Sequence, residues 1–319
     1  MVEDLSKVRH ATALINPVSS SKRRGQKRLQ RLIEVSPFEI SPVTTSKDDA
    51  TTKELIRASL ENSDLLLIIS GDGTFNTVVR TIISNNLSEK AKTTPIWSLG
   101  GGNAEDGTKA THSKLSLRHP EMALNNGRIV ETRPIRFDIT LPNDEHEMYP
   151  AAFYATLGAS ALVASNEFLN RETYRRSLLA KFTLSRSLSE LPIGIYGLLS
   201  SPRSLIRSEN GTQELYDFGY VNTRIMAKYL RFPTDLTKAE LFRYQVPTQH
   251  DLLRHISKSV ICGQPGGEYI SQDQEDSFVV EQDILAQFDG EARKIPAQSQ
   301  IRVSIHDQPL HLVVTKPNL

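Results

Sequence analysis

The 319 residues carry 38 Lys and Arg against 37 Asp and Glu, a formal net charge of +1, with 38% apolar residues and a single cysteine. That near-neutral balance gives no reason to expect a nucleic-acid binder, and the length points to two domains rather than one core. Cys262 can form no internal disulfide and has no zinc-spaced companions, which fits a reducing, cytoplasmic setting. No run approaches the ~18 apolar residues of a membrane span, and the acidic start MVEDLSKVRH lacks the pattern of a signal peptide. The expectation is a soluble protein, at most peripheral to a membrane.

In chain order, Ala11 to Ile15 reads as a short strand. It ends in Asn16-Pro17-Val18-Ser19-Ser20-Ser21, where the proline takes the chain out of a ladder and the serines can cap a helix. The next segment holds Lys22, Arg23, Arg24, Lys27, Arg28 and Arg31, with Leu29, Leu32 and Ile33 as its apolar side. It is either a solvated basic face or a source of cations for phosphates and acidic headgroups. Phe38 to Thr45 is a second strand, placed at an edge by Pro42. Ser46 is expected to cap a helix running to about Leu60, with Asp48 and Asp49 in its first turn, where the helix dipole favours them.

The stretch from Asp64 to Ile83 organises the first half. Leu65 to Ile69 has the length and branching of a strand buried on both faces. The turn Ser70-Gly71-Asp72-Gly73-Thr74 follows, and then Phe75, Val78, Val79, Ile82 and Ile83 recur at the spacing of a helix face. A strand, a glycine turn and a helix N-terminus make an anion site, because first-turn amides lack intrahelical partners. Gly71 and Gly73 are expected to supply positive φ and a close backbone approach to phosphate. Asp72, between them, is either a cap for the following helix or a residue of the chemistry.

Pro95 to Leu99 forms another strand, followed by Gly100-Gly101-Gly102-Asn103 and one or two helical turns over Ala104 to Ala110. Strands alternating with helices predict a Rossmann-like, parallel α/β domain over residues 1–133. Its loops Asn16 to Ser21, Ser70 to Thr74 and Gly100 to Asn103 line one crevice at the carboxyl ends of the strands. From Pro134 the texture becomes short alternating runs, such as Ile135 to Thr140, Met148 to Thr156, and Ile301, Val303 and Ile305. Residues 134–306 are therefore expected to form an antiparallel β sandwich with a helical insertion from Leu162 to about Ser200, the tail 307–319 being free to rejoin the first domain. Gly158-Ala159-Ser160-Ala161 lacks the second glycine of a nucleophile elbow, and the histidines show no metal-ligand spacing.

Asn16-Pro17, Gly71-Asp72-Gly73-Thr74 with Asn76, the glycine-rich loop ending in Asn103, Asn126-Gly127 before Phe137-Asp138, Phe153 to Ala159, and Asp289-Gly290-Glu291 together resemble the diacylglycerol kinase catalytic domain family. That family includes bacterial lipid kinases and sphingosine kinases and shares its ATP site design with NAD kinases. The resemblance implies a nucleotide-binding α/β domain and a β sandwich with the active site between them, where Mg²⁺ and ATP serve transfer of the γ-phosphate to a lipid hydroxyl. It places the nucleotide on Asn16, Pro17, Ser19, Ser70, Gly71, Gly73, Thr74, Asn76, Gly100, Gly101, Gly102 and Asn103. It assigns the metal to Asp72, Asp138 and Asp106, the last, or Glu105 beside it, as a shifted substitute for a family carboxylate. It makes Asp72, Asp289 and Glu291 the catalytic candidates, the last two in the turn that brings a carboxylate to the acceptor hydroxyl; a hairpin turn explains Asp289-Gly290 but not Glu291, so Glu291 is the preferred general base. The chain departs from the family pattern at Thr77, Gly101 and Ala104. Those departures leave a non-catalytic nucleotide- or lipid-binding protein as one alternative, and a kinase of a soluble acceptor such as NAD is the other. Basic residues from Arg171 to Arg186 suggest contact with an acidic membrane surface or, alternatively, a core-packing helix. An exposed edge strand leaves a homodimer open.

Overall fold

A computed structural model describes residues 4–19, 22–84, 87, 89–101, 106–162, 201–226, 230–234, 240–273 and 275–315. Ser20 and Ser21, Gly102 to Glu105, and the expected helical insertion beyond Leu162 with its basic residues lie outside the described residues.

The first half runs β1 (His10–Ile15), α1 (Lys22–Val35), β2 (Glu39–Thr44), α2 (Asp49–Asn62), β3 (Leu65–Ile69), α3 (Asp72–Ser84), α4 (Glu89–Thr93), β4 (Ile96–Ser98), α5 (Asp106–Thr111), α6 (Lys114–Arg118), α7 (Glu121–Asn126) and β5 (Arg128–Thr132). Next come β6 (Ile135–Thr140), β7 (His146–Ala151), β8 (Tyr154–Gly158), β9 (Ser204–Ser208), β10 (Gly211–Leu215), β11 (Asp217–Val221), and the small pair β12 (Ile225–Met226) and β13 (Leu230–Arg231). The chain closes with β14 (Leu241–Val246), α8 (Gln249–Ile261), β15 (Ile270–Asp273), β16 (Glu275–Val280), β17 (Ile284–Phe288), β18 (Glu291–Ile295), β19 (Gln300–Ile305) and β20 (Leu310–Val314).

The first sheet has the order β2-β1-β3-β4-β20-β5, and every pairing in it is parallel except β20 with β5. β3 is buried at all five positions because helices cover both of its faces. Leu66 and Ile68 join Phe75, Val78, Val79 and Ile82 of α3, while Leu65, Leu67 and Ile69 join Leu29 and Leu32 of α1. Burying each such side chain is worth about 1.5–3 kcal/mol over leaving it exposed. Ile33, expected on the apolar side of α1, is instead 48% exposed, one step past the buried stripe. The cap of α2 is Asp48, whose carboxylate accepts the Thr51 amide at 2.7 Å. Ser46 forms only a preliminary turn, its hydroxyl accepting the Asp48 amide.

Two further sheets, β10-β9-β16-β19-β6-β7 and β15-β14-β11-β8-β17-β18, are antiparallel throughout and enclose the second core, with Phe137, Phe218, Tyr220, Phe288 and Val303 inside. The halves share packing as well. Phe75, Val78 and Ile82 of α3 belong to the same buried cluster as Phe153, Tyr154, Val221 and Tyr244 of the sandwich. The rings of Phe75 and Phe153 stand 4.9 Å apart. Among the described residues no helix is long and apolar enough to cross a membrane.

Candidate active site

Because β1 pairs with both β2 and β3, strand order reverses between β1 and β3, and a crevice opens beyond their carboxyl ends. Side chains tie its rims together. Asn16, just past β1, donates its amide to Thr74 Oγ1 at 3.0 Å, and the Thr74 hydroxyl lies 2.7 Å from Ser70 Oγ. The Ser19 hydroxyl donates to the Gly101 carbonyl at 2.5 Å, and Arg28 of α1 reaches the Leu99 carbonyl at 2.6 Å. Pro17 is exposed on the loop between Asn16 and Ser19. Gly102 and Asn103 lie outside the described residues.

The glycines divide the work differently from the sequence expectation. Positive φ belongs to Gly100 (73°) and Gly101 (141°), not to Gly71 or Gly73. Gly73 lies in the first turn of α3, and a Cβ built on it would meet no atom within 4 Å. What its missing side chain provides is open space beside first-turn amides that have no intrahelical acceptor. A third glycine escaped the sequence reading. At Gly25, inside α1, a Cβ would lie 2.6 Å from the Gly100 carbonyl oxygen and 2.7 Å from Ile69 Cγ2. The signal was there, since a glycine inside an otherwise good helix costs about 1 kcal/mol and calls for a packing reason.

Asp72 caps a helix, but not its own. It is the first residue of α3, and its two carboxylate oxygens accept the amides of Asp106 and Gly107, both at 3.1 Å, at the start of α5. The residue keeps some solvent contact while protein crowds its carboxylate. Burial first, and then the neighbouring Asp106 charge, raise its pKa to about 7, against the pull of the two amides and of Lys109. Asp106, almost wholly buried, accepts the Tyr154 hydroxyl at 3.2 Å. Gly107 allows this approach, because a Cβ there would fall 2.3 Å from the Phe153 ring.

Asp289 and Gly290 form the hairpin turn between β17 and β18, at φ of 48° and 87°. The Asp289 carboxylate is fully buried and accepts the amides of Ala152 (2.7 Å), Phe153 (2.9 Å) and Tyr154 (2.9 Å). Asn76 donates its side-chain amide to the Phe288 carbonyl at 3.0 Å and to Asp289 at 3.4 Å. Burial lifts the Asp289 pKa to about 7 although the three amides pull it down. Asn76 is itself completely buried, and its amide nitrogen joins α3 to the sandwich.

Two expectations need correction. Glu291 does not enter the buried acidic group: it pairs with Arg80 at 3.3 Å and Arg293 at 3.5 Å, both guanidiniums lying over the Tyr149 ring. Its carboxylate is engaged by those two guanidiniums at the rim. Asp138 lies on β6 of the other sheet, gripped through both oxygens by Arg136 at 2.7–3.0 Å. It takes no part in the crevice, for its charge is spent on a neighbour two residues away on the same strand face. The sequence reading also passed over Tyr154 and Arg80, which only the fold brings to these acids.

The open space over Gly73 and the left-handed glycines at 100 and 101 fit a phosphate chain. Among the described residues no group of three or more His, Cys, Asp or Glu could by itself hold a metal ion. The hard oxygens of Asp72 and Asp106 nevertheless suit Mg²⁺, which binds through one or two carboxylates and takes its remaining ligands from substrate phosphates and water.

The architecture is thus a doubly wound sheet with an anion crevice, closed by an antiparallel sandwich. Residues 10–139 match the model of the diacylglycerol kinase catalytic domain family. None of the curated proteins matches the chain in sequence. In fold it is similar to a candidate diacylglycerol kinase from Bacillus anthracis at 11% identity and TM-score 0.65, covering 98% of this chain and 99% of that one. A second Bacillus anthracis structure, of a diacylglycerol kinase, gives 10% identity, TM-score 0.62 and 98% coverage of both chains. Yeast NADH kinase, solved with NADH, gives 9% identity and TM-score 0.53 over 97% of this chain and 84% of that one.

Proposed function

We propose that the chain is an ATP-dependent lipid kinase that transfers the γ-phosphate to an acceptor hydroxyl in the crevice between its two halves. One observation carries this reading: Asp72 stands between the N-termini of α3 and α5, beside the glycine-lined rim, with open space over Gly73. The lipid class of the acceptor rests on the family match of residues 10–139.

Phosphoryl transfer needs positioning and charge neutralisation more than covalent chemistry. The first turn of α3 and the loop at Gly100 and Gly101 bind the phosphates through backbone amides, and Asn16 and Ser19 hold that loop pair in register. Asp106 and Asp72 are the carboxylates that would hold Mg²⁺, which when bound offsets charge developing on the transferred group. Asp72 keeps access to solvent at the crevice and has both oxygens set by the α5 amides, so it would orient the ion against the phosphates. Asp289 is a structural lock, and Glu291 shapes the rim through its two arginines.

The test is transfer from labelled ATP to diacylglycerol, to a sphingoid base and to NAD, each presented with Mg²⁺. Asp72→Asn is expected to lose at least about 100-fold in kcat, and Glu291→Gln less than about tenfold. Full turnover by Asp72→Asn would refute the site, and transfer to NAD alone would refute the acceptor class.

A further inference from the structure

Resting on that reading, we propose that Tyr154 is the positioning residue of the transfer centre: its hydroxyl fixes the Asp106 carboxylate, and its main chain anchors that point to the Asp289 turn. Three contacts carry this. The phenol donates to Asp106 Oδ2 at 3.2 Å. The Tyr154 amide donates to Asp289 Oδ1 at 2.9 Å, while the Asp289 amide donates back to the Tyr154 carbonyl at 2.9 Å. The ring is buried at the junction of the two halves, with its hydroxyl directly under the turn, where a Cβ on Gly290 would stand 4.0 Å away.

The chemistry of the donor matters. Asp72 and Asp106 are like charges held close together, and without an anchor they would swing apart. An arginine or lysine could hold Asp106, but it would cancel the negative charge that a cation needs. A phenol orients the carboxylate and leaves that charge in place. It also keeps its position, because its backbone is fastened on both sides to Asp289 and Tyr154 has only two side-chain torsions. Asp106 comes from the first half and Tyr154 from the sandwich, so the metal-facing carboxylate is set by the domain that contributes the other wall of the crevice. Lys109, one turn along α5 from Asp106, acts on Asp72 from the same helix.

The experiment compares wild type, Tyr154→Phe and Asp106→Asn for Mn²⁺ binding in the presence of ADP, followed by the electron paramagnetic resonance signal of free Mn²⁺, with kcat and KM for ATP measured alongside. Tyr154→Phe is expected to weaken Mn²⁺ about tenfold and to lower kcat while leaving KM for ATP within about twofold; Asp106→Asn is expected to abolish tight Mn²⁺ binding. A Tyr154→Phe protein that melts lower but binds Mn²⁺ like wild type would overturn the proposal, since a purely structural hydroxyl predicts that pattern. Wild type that binds no Mn²⁺ would overturn it as well. Mn²⁺ binding without transfer to any acceptor would sink the kinase reading alone. Should Tyr154→Phe not fold, the tyrosine ultraviolet difference spectrum of wild type on adding Mg²⁺ and ADP replaces it. A perturbation lost in Asp106→Asn supports the proposal, and no perturbation overturns it.

Discussion

Replacing Asp289 by asparagine removes one charge and turns one oxygen into a donor, at a site where every neighbour is a donor. The carboxylate accepts four N–H groups, from Ala152, Phe153 and Tyr154 in the chain and from the Asn76 side chain. An asparagine can serve Phe153 and Tyr154 through its remaining oxygen. Its nitrogen must then face the Ala152 amide and the Asn76 amide, donor against donor. Losing one hydrogen bond to a charged group costs about 1.5–3 kcal/mol, and stranding a buried N–H costs about 1–3 kcal/mol more. The expected loss is therefore about 3–5 kcal/mol, a large part of the ~5–15 kcal/mol that holds a typical domain together. At roughly 2–4 °C per kcal/mol for a chain of this size class, the melting temperature falls by about 10 °C. Circular dichroism melts and urea titrations of Asp289→Asn measure it, with Asp138→Asn as a control whose exposed ion pair is worth at most about 1 kcal/mol. A melt within about 2 °C of wild type would show that the turn is not the lock described above, and the assignment of Asp289 to structure would fall.

Other outcomes follow from single contacts. Gly25→Val pushes a side chain into the Gly100 carbonyl and Ile69; it should cost about 1–3 kcal/mol and weaken nucleotide binding at least tenfold, measured by calorimetric titration. Equal ATP affinity in that variant would separate α1 from the phosphate site. Gly107→Val collides with the Phe153 ring and should lower both the melting temperature and Mn²⁺ affinity, whereas Gly211→Ala, where nothing lies within 4 Å, should affect neither the metal nor the nucleotide. Asp217 is fully buried, takes the Ser160 amide at 3.0 Å and the Ser160 hydroxyl, and is pushed by burial to about 7 from 3.8. Its folded pKa is the higher one, so the folded state holds the proton between about pH 4 and 7 and the unfolded state does not. Its contribution is present below pH 4 and is lost as pH rises to 7, at about 1.4 kcal/mol per unit. Asp217→Asn should remove that part of the pH dependence in urea titrations, and an unchanged slope would count against it.

The parts of this fold that announce themselves are those set by neighbours in sequence. The run Leu65 to Ile69, the periodic face of α3 and the alternating strands of the sandwich are local patterns, and each reappears as an element. The site is less legible because its decisive contacts join residues far apart. Nothing within α3 shows that Asp72 caps α5, or that Asn76 faces inward to a turn more than 200 residues on. The positive φ moved to Gly100 and Gly101 because Asp72 already begins a regular helix, which leaves Gly71 and Gly73 no left-handed turn to make. Glu291 looked like a base because the hairpin turn did not explain it, but Arg293, two residues along the strand, and Arg80, brought from α3 by the fold, do.

The place of β20 between β4 and β5 has a practical meaning. All five of its residues are buried, so the first sheet has a gap between β4 and its edge strand β5 until residue 314 has been made and delivered past the whole sandwich. During synthesis β4 and β5 wait with open edges, the kind of surface on which chains pair wrongly. The stretch 10–139 matches one family model but is not a unit of folding. Cutting the gene at the apparent domain boundary would yield a fragment missing the strand that joins β5 to the sheet, while a graft of Leu310–Val314 after Thr132, through a linker that restores its antiparallel pairing with β5, would be the rational way to obtain the first half alone.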